Sequence, residues 1–381
     1  MRRLSAVICL FVMLSFTACD SGTQEMVAPK SIDDLKIEVK DSRIRAGLSE
    51  TFQIDAEVTG DDISKISSYK VFSPKMSTDK IAGIFMPDGG YEIKDLEDGS
   101  VEYTKGKEKL VVQTKEKSDS PQITYCLNTD KEYRGIVGMY NGSKGSTGDT
   151  ANTEAGRLIK EKLDQLNIEY CDLSLYQMNY ALMNEEYANS VKYERSSPAL
   201  FEYTNSVPLD EHFKFMPGDD CYVINGNLML KGLPVYDFMV SNQLVWNIYA
   251  AVSSRGIEYL KIDPFYSADD ANHEIPVLSV EKAVMAFCRA YNNNDEAKKK
   301  LDISVNKICL SYQFDNVGVT DDQRGYIDPI WSICYTLRPL GGKDTDINYK
   351  VCKIDASDGS FTDCSEESLF TYLDFNNLQE D

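Results

Sequence analysis

Two stretches near the C-terminus decide the fold: ISVNKICLSYQF at residues 303–314 and IWSICYTL at residues 330–337. Apolar and polar residues alternate in both, as they do in β-strands that bury one face. The apolar face of the second stretch carries Trp331, Ile333, Tyr335 and Leu337, and that of the first carries Ile308, Leu310, Tyr312 and Phe314. Faces as apolar as these need a helix over them, which predicts a helix packed on an antiparallel sheet.

A suitable helix lies just before these strands. Ser279 is placed to cap its N-terminus and Glu281 lies in its first turn, where acidic residues are favoured. Its apolar face consists of Val280, Ala283, Val284, Phe287 and Tyr291. Three consecutive asparagines at 292–294 end it, and residues 349–354 predict a third strand. Together these elements predict one α+β unit over residues 276–365.

The same order of elements occurs earlier in the chain. An amphipathic helix is predicted over about residues 152–166, with Ala155, Leu158, Ile159, Leu163 and Leu166 on one stripe. Strands are predicted after it at 221–224, 228–231, 244–252 and 257–262. The two helices start about 127 residues apart, at 152 and 279. The order of elements therefore predicts a first α+β unit over residues 150–265, although the residues of the two units are not alike.

The regions outside the two units are simpler. Residues 34–130 are β-rich, with an alternating strand at 52–58 and a hairpin formed by 101–103 and 110–113. A short helix at 76–86 has Ser77 or Thr78 as its cap. Residues 366–381 form an acidic tail. The predicted fold class is α+β, an N-terminal β-rich region followed by two units that each pack a helix on an antiparallel sheet.

Several short motifs occur in the two units in a fixed order. The second unit contains LSVEKA at 278–283, KICLSY at 307–312, DPIW at 328–331 and IDASDG at 354–359. The first unit contains NG at 225–226 and GLPV at 232–235. In this order the motifs resemble PepSY-like domains and the YycH/YycI type of extracytoplasmic regulatory proteins of Gram-positive bacteria. The chain is also similar to uncharacterised clostridial-type lipoproteins.

The resemblance implies a helix packed on an antiparallel sheet and a role other than catalysis. PepSY-like domains are linked to inhibition of peptidases, and YycH and YycI bind the outer part of a sensor histidine kinase and restrain it. A sensor kinase and an exported protease are therefore the partners that the resemblance implies. YycH and YycI carry a transmembrane anchor, whereas this chain begins with a different signal, so their partner does not transfer directly.

The N-terminus has the pattern of an export signal. Two arginines at positions 2 and 3 precede an apolar run at 4–16, and FTAC follows at 16–19. Cys19 in this setting resembles the lipobox of bacterial lipoproteins, with Phe16 where leucine is usual. The resemblance implies cleavage of residues 1–18, a diacylglyceryl (palmitate-type) anchor on Cys19, a tether over 19–33 and a location on the outer face of the cell membrane. A plain secretory signal is the alternative.

The charge of the chain limits its partners. The formal net charge is −21 at pH 7, from 61 acidic and 40 basic residues. Such a surface repels nucleic acid and anionic lipid, so neither is expected as a partner. The acidic pairs 61–62, 219–220 and 269–270 lie beside predicted turns and are expected to be solvent-exposed. A protein or peptide partner outside the cell remains the expectation.

The cysteines raise the question of disulfides. Besides Cys9 and Cys19 the chain has eight, at 126, 171, 221, 288, 309, 334, 352 and 364, and an exported protein permits them to pair. If Tyr312 lies opposite Trp331, antiparallel pairing places Cys309 opposite Cys334, which gives one disulfide hypothesis. There is no Cys-x-x-Cys pair, and His212 and His273 are the only histidines, so no metal site is expected.

No catalytic pattern stands out. The chain lacks a Gly-x-Ser-x-Gly nucleophile elbow, and GSKGS at 142–146 has neither that spacing nor the order of a phosphate-binding loop. We therefore expect no enzyme, no catalytic residue and no cofactor. Two alternatives are a solute-binding lipoprotein of an uptake system and a surface hydrolase with an unrecognised site. A deep cleft between lobes would favour the former, and a pocket of converging carboxylates, or of cysteine and histidine, the latter.

Overall fold

The computed structural model describes residues 31–72, 76–113, 122–137, 146–148, 153–196, 208–239, 243–263, 267–268, 273–315, 325–343, 347–362 and 366–372. The helices are α1 (Thr78–Phe85), α2 (Arg134–Val137), α3 (Glu154–Gln165), α4 (Tyr180–Ser196), α5 (Val280–Asn293), α6 (Asp295–Lys300) and α7 (Glu366–Leu369). No helix within these ranges has the length and apolar character needed to cross a bilayer.

The strands occur throughout the chain and confirm the predicted α+β class. They are β1 (Glu38–Lys40), β2 (Arg43–Ser49), β3 (Phe52–Thr59), β4 (Lys65–Phe72), β5 (Glu92–Asp95), β6 (Val101–Lys105), β7 (Glu108–Gln113), β8 (Gln122–Cys126), β9 (Ser146–Gly148), β10 (Glu169–Met178), β11 (Cys221–Leu230), β12 (Leu233–Met239), β13 (Gln243–Val245), β14 (Ile248–Ser253), β15 (Gly256–Ile262), β16 (Ser267–Ala268), β17 (His273–Pro276), β18 (Leu301–Asp315), β19 (Gly325–Pro339) and β20 (Asn348–Asp355).

The strands form two arrays. Sheet I has the order β9-β10-β11-β14-β15-β8-β7-β6-β5 and is antiparallel throughout. Sheet II has the order β1-β2-β3-β18-β19-β20, and its β3–β18 pair is parallel. The strands of region 34–130 therefore do not form a sheet of their own, because β1–β3 extend sheet II and β5–β8 extend sheet I.

The two arrays join where long strands change neighbours. β12 pairs with the end of β11 and then runs parallel to β18, with Tyr236 opposite Gln313. β19 pairs with β4 over residues 325–327 and with β20 over 330–337. Pro329, which has no N–H to donate, lies in the gap between these two pairings, where a ladder hydrogen bond is not required. The DPIW motif thus marks the change of neighbour.

A bulge sets the register of sheet II. Between Val305 and Lys307 the pairing of β18 shifts by one residue, so the apolar face continues from Val305 to Ile308 rather than to Lys307. The resulting register places Leu310 opposite Trp331, two residues away from the predicted pairing with Tyr312. The predicted apolar faces are correct for every side chain that the structure describes there, which excludes that of Phe314, but the predicted register is wrong.

Helix α5 covers the apolar face of sheet II. Phe287 is fully buried and its ring centroid lies 5.9 Å from that of Phe52 and 5.0 Å from that of Tyr335. Tyr291 stacks on Phe52 at 4.3 Å. Trp331 donates from Nε1 to the Leu278 carbonyl at 2.8 Å, which fixes the chain just before the helix. Burial of these aromatic side chains supplies the main stabilisation of the second unit.

The central strands of sheet I carry an apolar core on each face. Helix α3 covers one face with Ile159 and Leu163, and its cap is Thr153, whose hydroxyl accepts from the Gly156 amide at 3.0 Å. Along β11 and β14 neighbouring residues alternate between two separate cores: Ile224 and Ala250 belong to the first and Val223 and Ala251 to the second. The second core is covered by α2, α4 and the loop before β11.

Several details differ from the sequence prediction. Helix α4 was not predicted, because its apolar residues do not form a single stripe. Residues 225–227, expected to separate two strands, lie inside continuous β11, where a Cβ on Gly226 would come within 2.3 Å of the Leu173 side chain. The expected strand at 244–252 is divided into β13 and β14. The acidic tail begins in the core, because Leu369 and Phe370 are buried.

Candidate functional site: an anchored loop with an exposed tip

The segment before β11, residues 208–220, is called the anchored loop below and contains a turn of defined type. The Asp219 amide donates to the Met216 carbonyl at 3.0 Å, with Pro217 and Gly218 between them. Gly218 has φ of +95°, so the sequence Met-Pro-Gly-Asp forms a type II turn, in which proline and then glycine are the preferred central residues. The Met216 amide also donates to Asp219 Oδ2 at 2.8 Å, so a second hydrogen bond spans the turn.

Asp219 connects this turn to a group of charges in which the carboxylates are buried and the Arg255 side chain is 44% exposed. It is only 4% exposed, and its Oδ2 accepts from Lys131 Nζ at 2.7 Å. Its Oδ1 lies 3.3 Å from Arg255 Nη2. Arg255 in turn donates to the Tyr133 hydroxyl at 3.0 Å and to Glu258 Oε1 at 2.6 Å. The prediction of a solvent-exposed Asp219 is therefore wrong.

The charges in this group balance, since the two carboxylates face one lysine and one arginine. Burial alone would raise the pKa of Asp219, but hydrogen bonds from Lys131, the Met216 amide and Arg255 outweigh it and hold the pKa below its usual value. Burial raises the pKa of Tyr133. A carboxylate such as Asp219, whose pKa is lowered and which is hydrogen-bonded on both oxygens, is suited to holding structure rather than to proton transfer at neutral pH.

Helix α4 holds the other side of the loop. The Asn184 side chain makes two hydrogen bonds to the Phe215 backbone, donating to its carbonyl at 3.0 Å and accepting from its amide at 2.8 Å. The Tyr187 hydroxyl donates to the Asp210 carbonyl at 2.9 Å. Phe215 is buried, with its ring 5.2 Å from Tyr133. Side chains of α4 and Asp219 thus form hydrogen bonds with the loop backbone, which leaves the loop little freedom to rearrange.

The tip of the anchored loop is apolar and faces solvent. Met216 is 60% exposed, and Tyr180, at the start of α4, is 38% exposed. The Tyr180 amide donates to Asp220 Oδ1 at 2.8 Å, which brings the helix start beside the loop. Of the large hydrophobic residues that the structure shows exposed, these two flank one acidic pair, while Ile93 and Leu340 lie elsewhere. A rigid loop that presents an adaptable apolar side chain is typical of a contact surface.

The predicted site residues are not part of this loop. Cys19 lies outside the described residues. Cys309 lies opposite Ser332 and Cys334 opposite Lys307, so the pairing that motivated the disulfide is wrong. The structure describes both cysteines as thiols. Cys309 is buried, and its sulfur lies 3.6 Å from the Tyr236 hydroxyl, which also accepts from Lys307 Nζ at 3.1 Å.

Other groups considered in the sequence add little to the site. His212 is exposed and lies 3.4 Å from the Glu211 carboxylate, as expected for a surface histidine. The side chain of His273, residues 142–145 and Cys364 fall outside what is described. Within the described ranges no three His, Cys, Asp or Glu side chains are grouped to hold a metal ion. An open depression of about 450 Å³, lined by Asp164, Asn167 and Glu169 among others, lies at the C-terminal end of α3.

Comparisons with known proteins show the fold and no function. No protein-family model matches the chain, and no curated protein matches it. The solved structure of an uncharacterised protein from Eubacterium rectale is similar, with a TM-score of 0.57 over 85% of this chain and 94% of that chain. Sequence identity is 15%. At that level the likeness shows a shared architecture alone.

The anchored loop was only partly accessible to sequence reasoning. The order Met-Pro-Gly-Asp at 216–219 predicts a type II turn by itself, and this signal was present. The partners of Asp219 could not be found in the same way. Lys131 and Arg255 lie 88 and 36 residues from it in the chain, and only the folded sheet brings the three together.

Proposed function

We propose that the protein is a non-catalytic binding protein, held at the outer face of the cell membrane by a lipid on Cys19, that contacts a polypeptide partner through the anchored loop. The observation that carries the proposal is the 60% exposure of Met216 on a turn closed by two hydrogen bonds and held by ion pairs of the buried Asp219 carboxylate. Exposed apolar side chains on rigid loops are favoured at protein interfaces.

Rigidity supports the proposal. A flexible loop loses conformational entropy when it binds, and that loss weakens the complex. Here the loop is already ordered by Asn184, Tyr187 and Asp219 in the folded protein. Because Met216 contributes an unbranched, polarisable side chain, it fits an apolar pocket with little demand on the shape of the pocket.

The charge around the tip favours one class of partner. Asp210, Glu211 and Asp220 are exposed on the same loop, whose one lysine or arginine is Lys214. Arg195 pairs with Glu211, and Arg255 lies beside Gly218. Anionic lipid and nucleic acid would be repelled by this surface. A polypeptide that offers an apolar pocket with basic residues at its rim fits best. The ectodomain of a sensor kinase or an exported protease would fall in this class, as the resemblance to surface regulators implies.

Site-specific photo-crosslinking on intact cells tests the loop. A photoreactive amino acid at Met216 is expected to give a discrete crosslinked species, whereas the same group at Leu340, which is 45% exposed on the opposite unit, gives none. Met216→Asp is expected to weaken capture about tenfold or more, and Leu340→Asp to leave it unchanged. Equal crosslinking from both positions would refute the role of the loop.

Fractionation tests the anchor separately. Replacement of Cys19 by Ser removes the acceptor sulfur, so the protein is expected to lose its lipid and to leave the washed membrane fraction. Metabolic labelling with a fatty-acid analogue gives the direct readout. A Cys9→Ser variant, altered within the segment that cleavage removes, is the matched control and should stay lipidated. If the Cys19→Ser variant remains lipidated, the anchor is assigned to the wrong residue.

A further inference from the structure

The outer edge of sheet I ends in a short exposed strand. All four residues of β5, Glu92–Asp95, are exposed, and the strand pairs with β6 along one edge. Within the described ranges no strand pairs with its other edge. An edge of this kind presents unpaired N–H and C=O groups that can accept another strand.

One row of apolar side chains crosses sheet I from strand to strand and ends at this edge. Successive strands place these residues opposite one another: Leu175, Ile224, Ala250, Leu260, Tyr125, Leu110, Tyr103 and Ile93. The first seven are buried, whereas Ile93 is 58% exposed. The row therefore lacks a neighbour only at its last position, and an added strand would supply one.

The backbone direction of β5 follows from its hairpin. The Leu96 amide donates to the Ser100 carbonyl at 2.9 Å, so Leu96 faces β6. Successive residues of a strand direct their backbone groups to opposite edges. Lys94 and Glu92 therefore also face β6, and the N–H and C=O groups of Ile93 and Asp95 point outward, ready to pair.

We propose that the occupant of this edge is a second copy of the chain, paired antiparallel about a two-fold axis at Ile93. In that register Ile93 lies opposite Ile93 of the second copy, with reciprocal N–H to C=O bonds. Glu92 then lies opposite Lys94 twice, in the non-hydrogen-bonded positions where side chains approach most closely. One patch thus complements itself in both charge and backbone hydrogen bonding, as an isologous interface requires.

The neighbouring registers are unfavourable. Only residues whose backbone groups point away from β6 can form the hydrogen-bonded pairs, so the register can change only by an even number of residues. The two nearest alternatives place Lys94 opposite Lys94 or Glu92 opposite Glu92. Like charges directly opposite each other destabilise a sheet. The sequence Glu-Ile-Lys therefore selects one register. The association depends on neither the lipid anchor nor the anchored loop.

Cysteine scanning of the full chain in detergent tests the register. Paired residues in hydrogen-bonded positions have Cα atoms about 5.5 Å apart, within the range that a disulfide spans. Ile93→Cys is therefore expected to form a covalent dimer on mild oxidation, and the unsubstituted chain to form none. Lys94→Cys lies opposite Glu92 and is the matched control. Dimers from Lys94→Cys but not from Ile93→Cys would overturn the proposed register.

Charge exchange tests the complementarity without added thiols. Glu92→Lys creates two Lys–Lys pairs and Lys94→Glu creates two Glu–Glu pairs, so each single variant is expected to weaken dimerisation about tenfold in sedimentation equilibrium. The double variant exchanges both charges and is expected to restore the affinity of the unsubstituted chain. A double variant as weak as the single variants, or a chain that stays monomeric at every concentration, would refute the proposal.

Discussion

The two sheets are alike on one face and differ on the other. In both, a helix covers one apolar face, α3 on sheet I and α5 on sheet II. Sheet I then has a second apolar core under α2, α4 and the anchored loop. The opposite face of sheet II is polar although buried, with Ser311, Ser332 and Lys353 almost without exposure. Elements inserted between strands, rather than the helix-and-sheet plan, therefore distinguish the units.

The comparison also separates stability from recognition. The main core is continuous across both units and includes Ile159 of α3 as well as Phe287 of α5. The exposed tip at Met216 belongs to the insertion that only the first unit carries. A shared scaffold with a contact surface on one inserted loop is a common arrangement, because the loop can change without loss of the core.

The largest effect is expected from variants that remove the contact between helix and sheet in either unit. Phe287→Ala should lower the free energy of unfolding by about 3–5 kcal/mol, and Ile159→Ala by about 2–5 kcal/mol, since each leaves a cavity in the core. Because one core joins the units, both variants should shift a single urea transition followed by circular dichroism. Two separated transitions would show that the units unfold independently.

A smaller effect is expected in the anchored loop, and it depends on pH. The folded-state pKa of Asp219 is below its unfolded value, so its contribution is present above about pH 4 and is lost as the pH falls through the folded pKa. Asp219→Asn should therefore cost about 1–3 kcal/mol at neutral pH and less in acid. Urea titrations at pH 7 and pH 3.5 measure the difference.

Asp220→Asn is the control for that experiment, since Asp220 is exposed and bonds only the start of α4 among the contacts described. Its cost should be small at both pH values. An Asp219→Asn cost that stays constant from neutral to acid pH would contradict the assignment of an ionised, buried carboxylate.

The polar face of sheet II should give an effect of about 1 kcal/mol. The Ser311 and Ser332 hydroxyls lie 2.8 Å apart and both side chains are fully buried. Each single alanine variant leaves one hydroxyl without this partner, whereas the double variant removes both. A double-mutant cycle should therefore give a coupling of about 0.5–1 kcal/mol. Additive single effects would show that the two hydroxyls do not interact.

Addition of reductant is expected to leave the free energy of unfolding unchanged. The seven described cysteines are thiols, including Cys309 and Cys334. A disulfide would typically contribute about 2–4 kcal/mol, so its reduction would lower the unfolding midpoint visibly. We expect identical urea curves with and without reductant, and alkylation of both cysteines in the unfolded, unreduced chain. A crosslinked peptide that contains Cys309 and Cys334 would contradict this expectation.

Local patterns predicted much of the fold, and long-range pairing explains the rest. Helix α5 begins and ends where Ser279 and the asparagines at 292–294 indicate, and Ser77 caps α1. The register of β18 against β19 was missed because the alternation of apolar residues shows which face is buried but not which residues lie opposite each other, and no distinctive residue type marks the bulge near residue 306. The division of the N-terminal strands between two sheets was missed because strand partners far apart in sequence leave no local signal.

The candidate site divides in the same way. The turn at Met216 follows from proline and glycine in the right order, a local rule. The position of the loop depends on its contacts with α4, which also leave its tip exposed. The apolar residues of α4 form no stripe, so the sequence gave no signal for this helix. Strand β5 lies outside the hairpin predicted from residues 101–103 and 110–113, and whether another strand covers its edge is decided only by the complete topology.

The parallel pairing of β3 with β18 has a consequence for how the chain folds. Residues 52–59 are made early, yet their partners at 303–309 follow some 250 residues later. Until then β3 has one edge and an apolar face without a partner, a state that favours aggregation and slows folding. The first half of sheet II must therefore wait for the last third of the chain, and a truncation before residue 300 should leave the N-terminal strands without a native structure.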